Sequence, residues 1–191
     1  MRKPRADATA HREVLLAAAD AVFSKHGVMA ALDLVVTHAG VGRATLYRNF
    51  PHRTALMEAL LDRALCALET YALTIADRCD ALFLLFERFG QNIASSSPLV
   101  DFWRAVDRTD PIVQAARRRI AKIFKQPLQR AIDDAACRPD LRIADVLLMC
   151  NMLGASLRGG SVAERRGLAR RALQLLRIGI DSPPASPDAS G

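Results

Sequence analysis

Aromatic residues are scarce in this sequence, at 5% with a single Trp, and no long stretch alternates apolar with polar side chains. A half-buried sheet needs that alternation and draws on aromatic and β-branched residues, so the pattern argues against a β-rich fold. The four cysteines (Cys66, Cys79, Cys137, Cys150) are far apart and form no CxxC pair. That spacing is poor material for a zinc site or a disulfide scaffold. It reads as small hydrophobes in helical cores, suited to a reducing cytoplasm. No run approaches the roughly 18 apolar residues of a membrane span. Glu13 and Asp20 interrupt the apolar stretch behind the basic N-terminus, which is unlike a signal peptide. The expectation is a cytoplasmic protein with no membrane partner.

Catalytic and cofactor signatures are missing too. There is no GxSxG nucleophile motif. GASLRGGS at 154–161 approximates a phosphate loop, but Gly160 sits where the essential Lys would be, and no strand precedes it. His11, His26, His38 and His52 have no metal-ligand spacing. The sequence predicts neither an enzyme nor a metal site, and no cofactor.

What is present is helix-forming material. Ala, Leu and Arg abound, and 51% of the 191 residues are hydrophobic, enough for a substantial core. The net charge is +7. The first 53 residues hold eight Lys/Arg against four Asp/Glu, so they carry more than half of that excess. A basic balance of this kind suits an anionic partner, nucleic acid or an acidic membrane surface.

Along the chain, residues 1–8 read as a flexible basic arm. Helical periodicity begins near Thr9 and is stopped by Gly27 in a left-handed cap. A short second helix spans about Leu32 to Ala39, with Leu32, Val35, Val36 and Ala39 inward. Gly40 ends it, Val41 plugs the turn and Gly42 precedes a third helix from Arg43 to Asn49. Pro51 breaks the chain and opens a fourth helix near His52. Further helices follow. Asp80 can cap the one over 81–94; a short one covers 99–108. The next begins at 109–111 and contains Pro127, so it is kinked or split. The last two cover 143–157 and 162–180. The tail from 181 to 191 is rich in Pro and Ser and reads as disordered. The fold class is all-α, with about nine helices.

Residues 39–56, AGVGRATLYRNFPHRTAL, carry the functional signal. At 100° per residue, Leu46 and Phe50 fall together on one face of the third helix, while Ala44, Thr45, Arg48 and Asn49 fall mostly opposite. Two short helices joined by a Gly-containing turn, the second with an outward polar face, form the helix-turn-helix pattern. Its second helix enters the DNA major groove. Arg suits guanine O6 and N7, and Thr, Tyr and Asn suit phosphates.

Residues 12–57 resemble the DNA-binding domain of the TetR family of bacterial transcriptional regulators. The resemblance rests on R-x-x-(V/L)-L-x-A-A-x-x-x-F from Arg12 to Phe23, then Gly27, AGVGRATLYRNFP and Arg53. It implies that Arg43 and Ala44 read bases, that Thr45, Tyr47, Asn49 and Arg53 hold phosphate, and that Arg48 does either. Ala30 and Ala31 stand where members usually have Thr or Ser, Gly42 replaces the usual Ser, and Asp33 adds an acidic group near the DNA side. The resemblance also implies a helix-turn-helix domain over 9–53 and an effector-binding and dimerisation domain over 54–180. CRPDLRIADVL at 137–147 is similar to the turn before the penultimate helix in many members.

The function so implied is a sequence-specific regulator, more a repressor than an activator. It would bind a palindromic double-stranded operator as a homodimer and respond to a small-molecule effector of hydrophobic character. Phe83, Phe86, Phe89, Phe102, Trp103, Phe124 and Met149 are the candidate pocket residues; packing the core alone is the rival role for each. Leu147, Leu148, Met152, Leu173 and Leu176 are the candidate dimer interface. The alternative, motivated by Ala30, Ala31 and Asp33, is a ligand- or protein-binding helical module that has lost sequence-specific DNA recognition.

Overall fold

The computed structural model describes residues 4–96, 98–99, 101–102, 107, 109–156, 158 and 160–181. Among them are eight α-helices and no strand: α1 (Pro4–His26), α2 (Leu32–Ala39), α3 (Arg43–Asn49), α4 (Arg53–Thr74), α5 (Ala81–Ser95), α6 (Pro111–Asp133), α7 (Ile143–Ser156) and α8 (Val162–Asp181). The described residues divide into two compact units, one drawn from residues 4–64 and 96–113 and the other from residues 65–95 and 114–181. The first half of α4 buries Leu56, Met57, Ala59 and Leu60 in the N-terminal core.

In the first unit, Leu15, Leu16, Ala18, Ala19, Val22 and Phe23 of α1 close over Val35 of α2 and Leu46 and Phe50 at α3. α1 starts at Pro4, ahead of the expected Thr9, so residues 4–8 belong to the helix. Proline suits that first position, where its fixed φ is helical and its missing N–H would be unpaired anyway. Gly27 adopts φ +83° and donates its N–H to the Phe23 carbonyl at 2.9 Å. Gly40, at φ +65°, closes α2: its N–H reaches the Thr37 carbonyl, and that of Val41 reaches Val36. This double closure needs a left-handed residue, which Gly supplies without steric cost.

The second unit is held by close approach of α5 to α8. A Cβ at Gly90 would meet Leu173 Cδ1 at 3.3 Å and Ala169 Cβ at 3.7 Å, so a side chain there would make Leu173 give by a few tenths of an ångström. Pro127 lies inside one continuous α6. That helix ends with the same double closure as α2, from Ala135 to Ile132 and from Ala136 to Ala131. Here, however, the left-handed residue is Ala135, at φ +53°. Arg78 grips both carboxylate oxygens of Asp80 at 2.8 Å, while Asp80's carbonyl accepts the first-turn N–H of Leu84. The 138–140 turn is closed by Arg138 on Asp140.

The expected helix over 99–108 falls largely outside the described residues, which leaves eight rather than nine. The expected tail lies outside them too, from residue 182 on. The cysteines depart from the expectation of helical core thiols. Cys137 and Cys150 are buried, Cys66 and Cys79 exposed, and only Cys66 and Cys150 are helical. Cys66 lies on the outer side of α4, where its sulfur accepts a bond from Arg119.

Candidate functional site

The third helix presents its polar side chains because its apolar ones are consumed. Leu46 and Phe50 are fully buried in the N-terminal core. Arg12 of α1 stacks on Phe50, with its guanidinium carbon 4.7 Å from the ring centroid, which braces the C-terminal end of α3. At 100° per residue these anchors leave the opposite side to solvent. Arg43, Ala44, Tyr47 and Arg48 are exposed; Thr45 and Asn49 are half-buried. This cluster on one short helix is the arrangement that a major-groove reader requires.

Local bonds order several of these groups. Arg48 donates to the Ala44 carbonyl and the Thr45 hydroxyl, each at 3.2 Å. Asn49 donates from Nδ2 to the Thr45 carbonyl at 2.8 Å. Arg43 pairs with Asp33 across the turn, Nη2 to Oδ2. Gly42 is the N-cap residue of α3 and Ala31 that of α2; neither makes a side-chain capping bond.

Arg53 is placed differently. It is half-buried, and its two terminal nitrogens donate to the carbonyls of Val28 and Ala30, the latter at 2.6 Å. Its guanidinium also lies 5.4 Å from the Phe23 ring centroid. These contacts tie the α1–α2 connection to the start of α4. His52 covers the end of α4, where Nδ1 accepts the Ala55 N–H at 3.1 Å. Sequence reasoning missed the bracing by Arg12, the carbonyl bonds of Arg53 and the pairing of Asp33 with Arg43. The only signals for them were the residue types.

The aromatic set expected in an effector pocket separates. Phe83 and Phe86 line a groove of about 740 Å³ between α5 and α8, with Leu173, Leu176 and Ile180 completing its apolar wall. Arg88, Arg166, Arg170 and Arg177 also line it, against one acid, Glu87. Arg177 sits over Phe83 at 4.6 Å and Arg88 over Tyr71 at 4.2 Å. Phe124 is fully buried and packs on Phe86, ring centroids 5.0 Å apart. Met149 is buried and Phe89 half-buried, both outside the groove wall. Phe102 packs in the N-terminal unit. Trp103 lies outside the described residues.

Among the candidate interface residues, Leu148 and Met152 are exposed on α7, and Leu147 is half-buried. Leu173 and Leu176 face the groove, while Val162, Leu168, Leu175 and Ile178 are the exposed large apolar residues of α8. No described helix is long and apolar enough to cross a membrane.

A trihelical unit with a glycine-turned helix pair and an exposed Arg- and Tyr-bearing second helix defines a helix-turn-helix protein. Residues 15–60 match the family model described as bacterial regulatory proteins, tetR family. Solved structures extend the likeness over the chain. The TetR transcriptional regulator SCO0520 of Streptomyces coelicolor is 28% identical, covering 88% of this chain and 97% of its own, with a TM-score of 0.68. The TetR regulatory protein of Mycobacterium vanbaalenii is 22% identical over 92% and 98%, with a TM-score of 0.67. SmeT, the repressor of the Stenotrophomonas maltophilia multidrug efflux pump SmeDEF, is 18% identical over 91% and 92%, with a TM-score of 0.63. No curated protein matches the chain. Residues 15–60 thus match the tetR-family regulatory model, and the chain is similar in fold to solved TetR regulators over most of its length.

Proposed function

We propose that the protein is a homodimeric repressor that binds a palindromic operator and leaves it when a small molecule binds. The observation that carries this reading is the exposed face of α3, where Arg43, Ala44, Tyr47 and Arg48 share a surface backed by the buried Leu46 and Phe50. Arg43 and Ala44 lie in the first turn, the part of a reading helix that meets base edges. Thr45, Tyr47 and Asn49 flank the backbone, and Arg48 reaches either. Arg53 contributes by holding the start of α4 and by any N–H it leaves for phosphate.

Two copies pair through α7 and α8, whose exposed Leu148, Met152, Leu168, Leu175 and Ile178 favour burial against a second chain. Such a dimer spaces two α3 helices for half-sites about 34 Å, or a multiple, apart. The groove between α5 and α8 receives the effector. Its apolar wall and four arginines against one glutamate favour an anion with an apolar body. An effector acts only through differential affinity for the DNA-competent and released states.

The test is selection of bound sequences from random duplex DNA with purified protein, repeated across salt concentrations. Enrichment of a palindrome supports the operator reading. Weak, salt-sensitive binding without sequence preference would leave only a generic basic module. The selected duplex then serves as the probe for release by fatty carboxylates, with alcohols of equal length as controls.

A further inference from the structure

On the reading of α3 as the DNA-contacting helix, we propose that Asp33 is a specificity-determining residue. It holds Arg43 in a paired state that suppresses contact with phosphate and leaves the guanidinium for one base edge.

Asp33 lies in the first turn of α2 and Arg43 is the first residue of α3. Ten residues separate them in sequence, yet the carboxylate of one accepts a bond from the guanidinium of the other. Their side chains are 51% and 69% exposed. A pair this open to water is screened and adds little to folding stability. It satisfies no buried group either, so its main effect falls on whatever approaches that surface.

DNA approaches it as a polyanion. A free arginine there takes any phosphate, and such contacts carry no sequence information. Paired with Asp33, Arg43 attracts phosphates less, because the carboxylate offsets part of its charge and competes for one of its N–H groups. The guanidinium retains donors, because it has five N–H groups in a fixed fork and Asp33 accepts from Nη2 alone. Guanine offers O6 and N7 as matching acceptors in the major groove. Where cytosine or adenine presents an amino donor instead, donor faces donor and a desolvated group is left unpaired. Asp33 therefore weakens binding to every sequence but weakens the wrong ones more.

A local role competes with this one. A carboxylate in the first turn of a helix is favoured by the helix dipole, and α2 has no side-chain cap at Ala31. The experiment must separate the two.

Full-length wild type, Asp33→Asn, Arg43→Ala and the double variant are compared on two duplexes: the sequence selected by the wild type and a scramble of it. Each is titrated across salt, with thermal unfolding alongside. For Asp33→Asn the expected result is severalfold tighter binding to the scramble with a smaller gain on the selected duplex. The selectivity ratio falls, and the salt slope on the scramble steepens by about 0.9, one further phosphate contact. Repeated selection with Asp33→Asn loses preference at one guanine per half-site. In the Arg43→Ala background the same change leaves the ratio alone. An unchanged ratio with a lower melting temperature would reduce Asp33 to a helix-end charge and overturn the proposal. So would equal tightening on both duplexes that persists without Arg43, since the acid would then act through space. If the wild type selects no sequence at all, the operator reading fails, and the Asp33 proposal with it.

Discussion

The helix-turn-helix unit and the C-terminal helices carry similar excesses of positive charge but employ their arginines differently. On α3, Arg43 and Arg48 stand in solvent and bond only to groups on the same surface. In the C-terminal unit, Arg165 is buried and donates to the Ala94 carbonyl at 3.0 Å, Arg130 reaches the Ala76 carbonyl, and Arg119 grips Glu69 through two bonds. Net charge does not distinguish the two uses; burial and the reach of the bond do. A guanidinium at least partly buried and tied to a distant segment is a fastener, and one exposed on α3 with partners in the same helix pair is, on the proposed function, a sensor. Arg53 and Arg12 are fasteners inside the sensing unit.

The largest effect is expected where a fastener is buried. Arg165→Ala should lower stability by about 2–3 kcal/mol, because a charge-assisted bond is lost and a buried carbonyl loses its donor. The urea midpoint measures this; a shift of a few tenths would place Arg165 among the solvated arginines. Arg53→Met should cost about 2 kcal/mol by the same reasoning, with the aromatic contact partly kept. Its DNA affinity should fall only as far as the loss of fold explains. Full stability with a pronounced, salt-dependent loss of binding would instead make Arg53 a phosphate contact.

The sensors should behave in reverse. Arg43→Ala should leave unfolding unchanged and weaken operator binding by about 1–2 kcal/mol, roughly tenfold, with relaxed preference at one base pair. Tyr47→Ala should weaken binding to all sequences alike. Equal loss on every duplex for Arg43→Ala would turn it into a phosphate contact.

The smallest effect belongs to Glu69. The hydrogen bond from Arg119 holds its carboxyl below the usual carboxylate range, against the opposing effect of burial. A depressed folded-state pKa stabilises the protein above about 4.5, the ordinary value, and that contribution is lost as pH falls through the folded value. Glu69 is partly exposed, so Glu69→Gln should differ from wild type by less than about 1 kcal/mol at neutral pH. The difference should vanish under acid. A gap that persists at low pH would assign it to packing.

The sequence was most legible where structure is local. Gly40, Gly42 and Pro51 punctuate the chain over a dozen residues, and α2 and α3 fall at the expected limits for that reason. The burial of Leu46 and Phe50 followed from a period of 3.6. The roles of Arg53 and Asp33 were not legible, because their partners lie 23–25 and 10 residues away and no local pattern marks them. The aromatic residues of the C-terminal half were legible as apolar but not as pocket or core. Phe86 lines a groove and Phe124, 5.0 Å away, is sealed beneath it, and nothing in their immediate neighbours separates the two.

Ala135 occupies, at the end of α6, the left-handed position that Gly40 fills at the end of α2. Alanine there costs about 1 kcal/mol relative to glycine. In evolutionary terms that is a latent reserve, one nucleotide away, since alanine and glycine codons differ only at their second base. A lineage that changes the surface of α3, and loses some stability doing so, could recover it at a site that belongs to the other unit and does not line the groove. Ala135→Gly is thus a natural background in which destabilising operator-specificity variants should become tolerable.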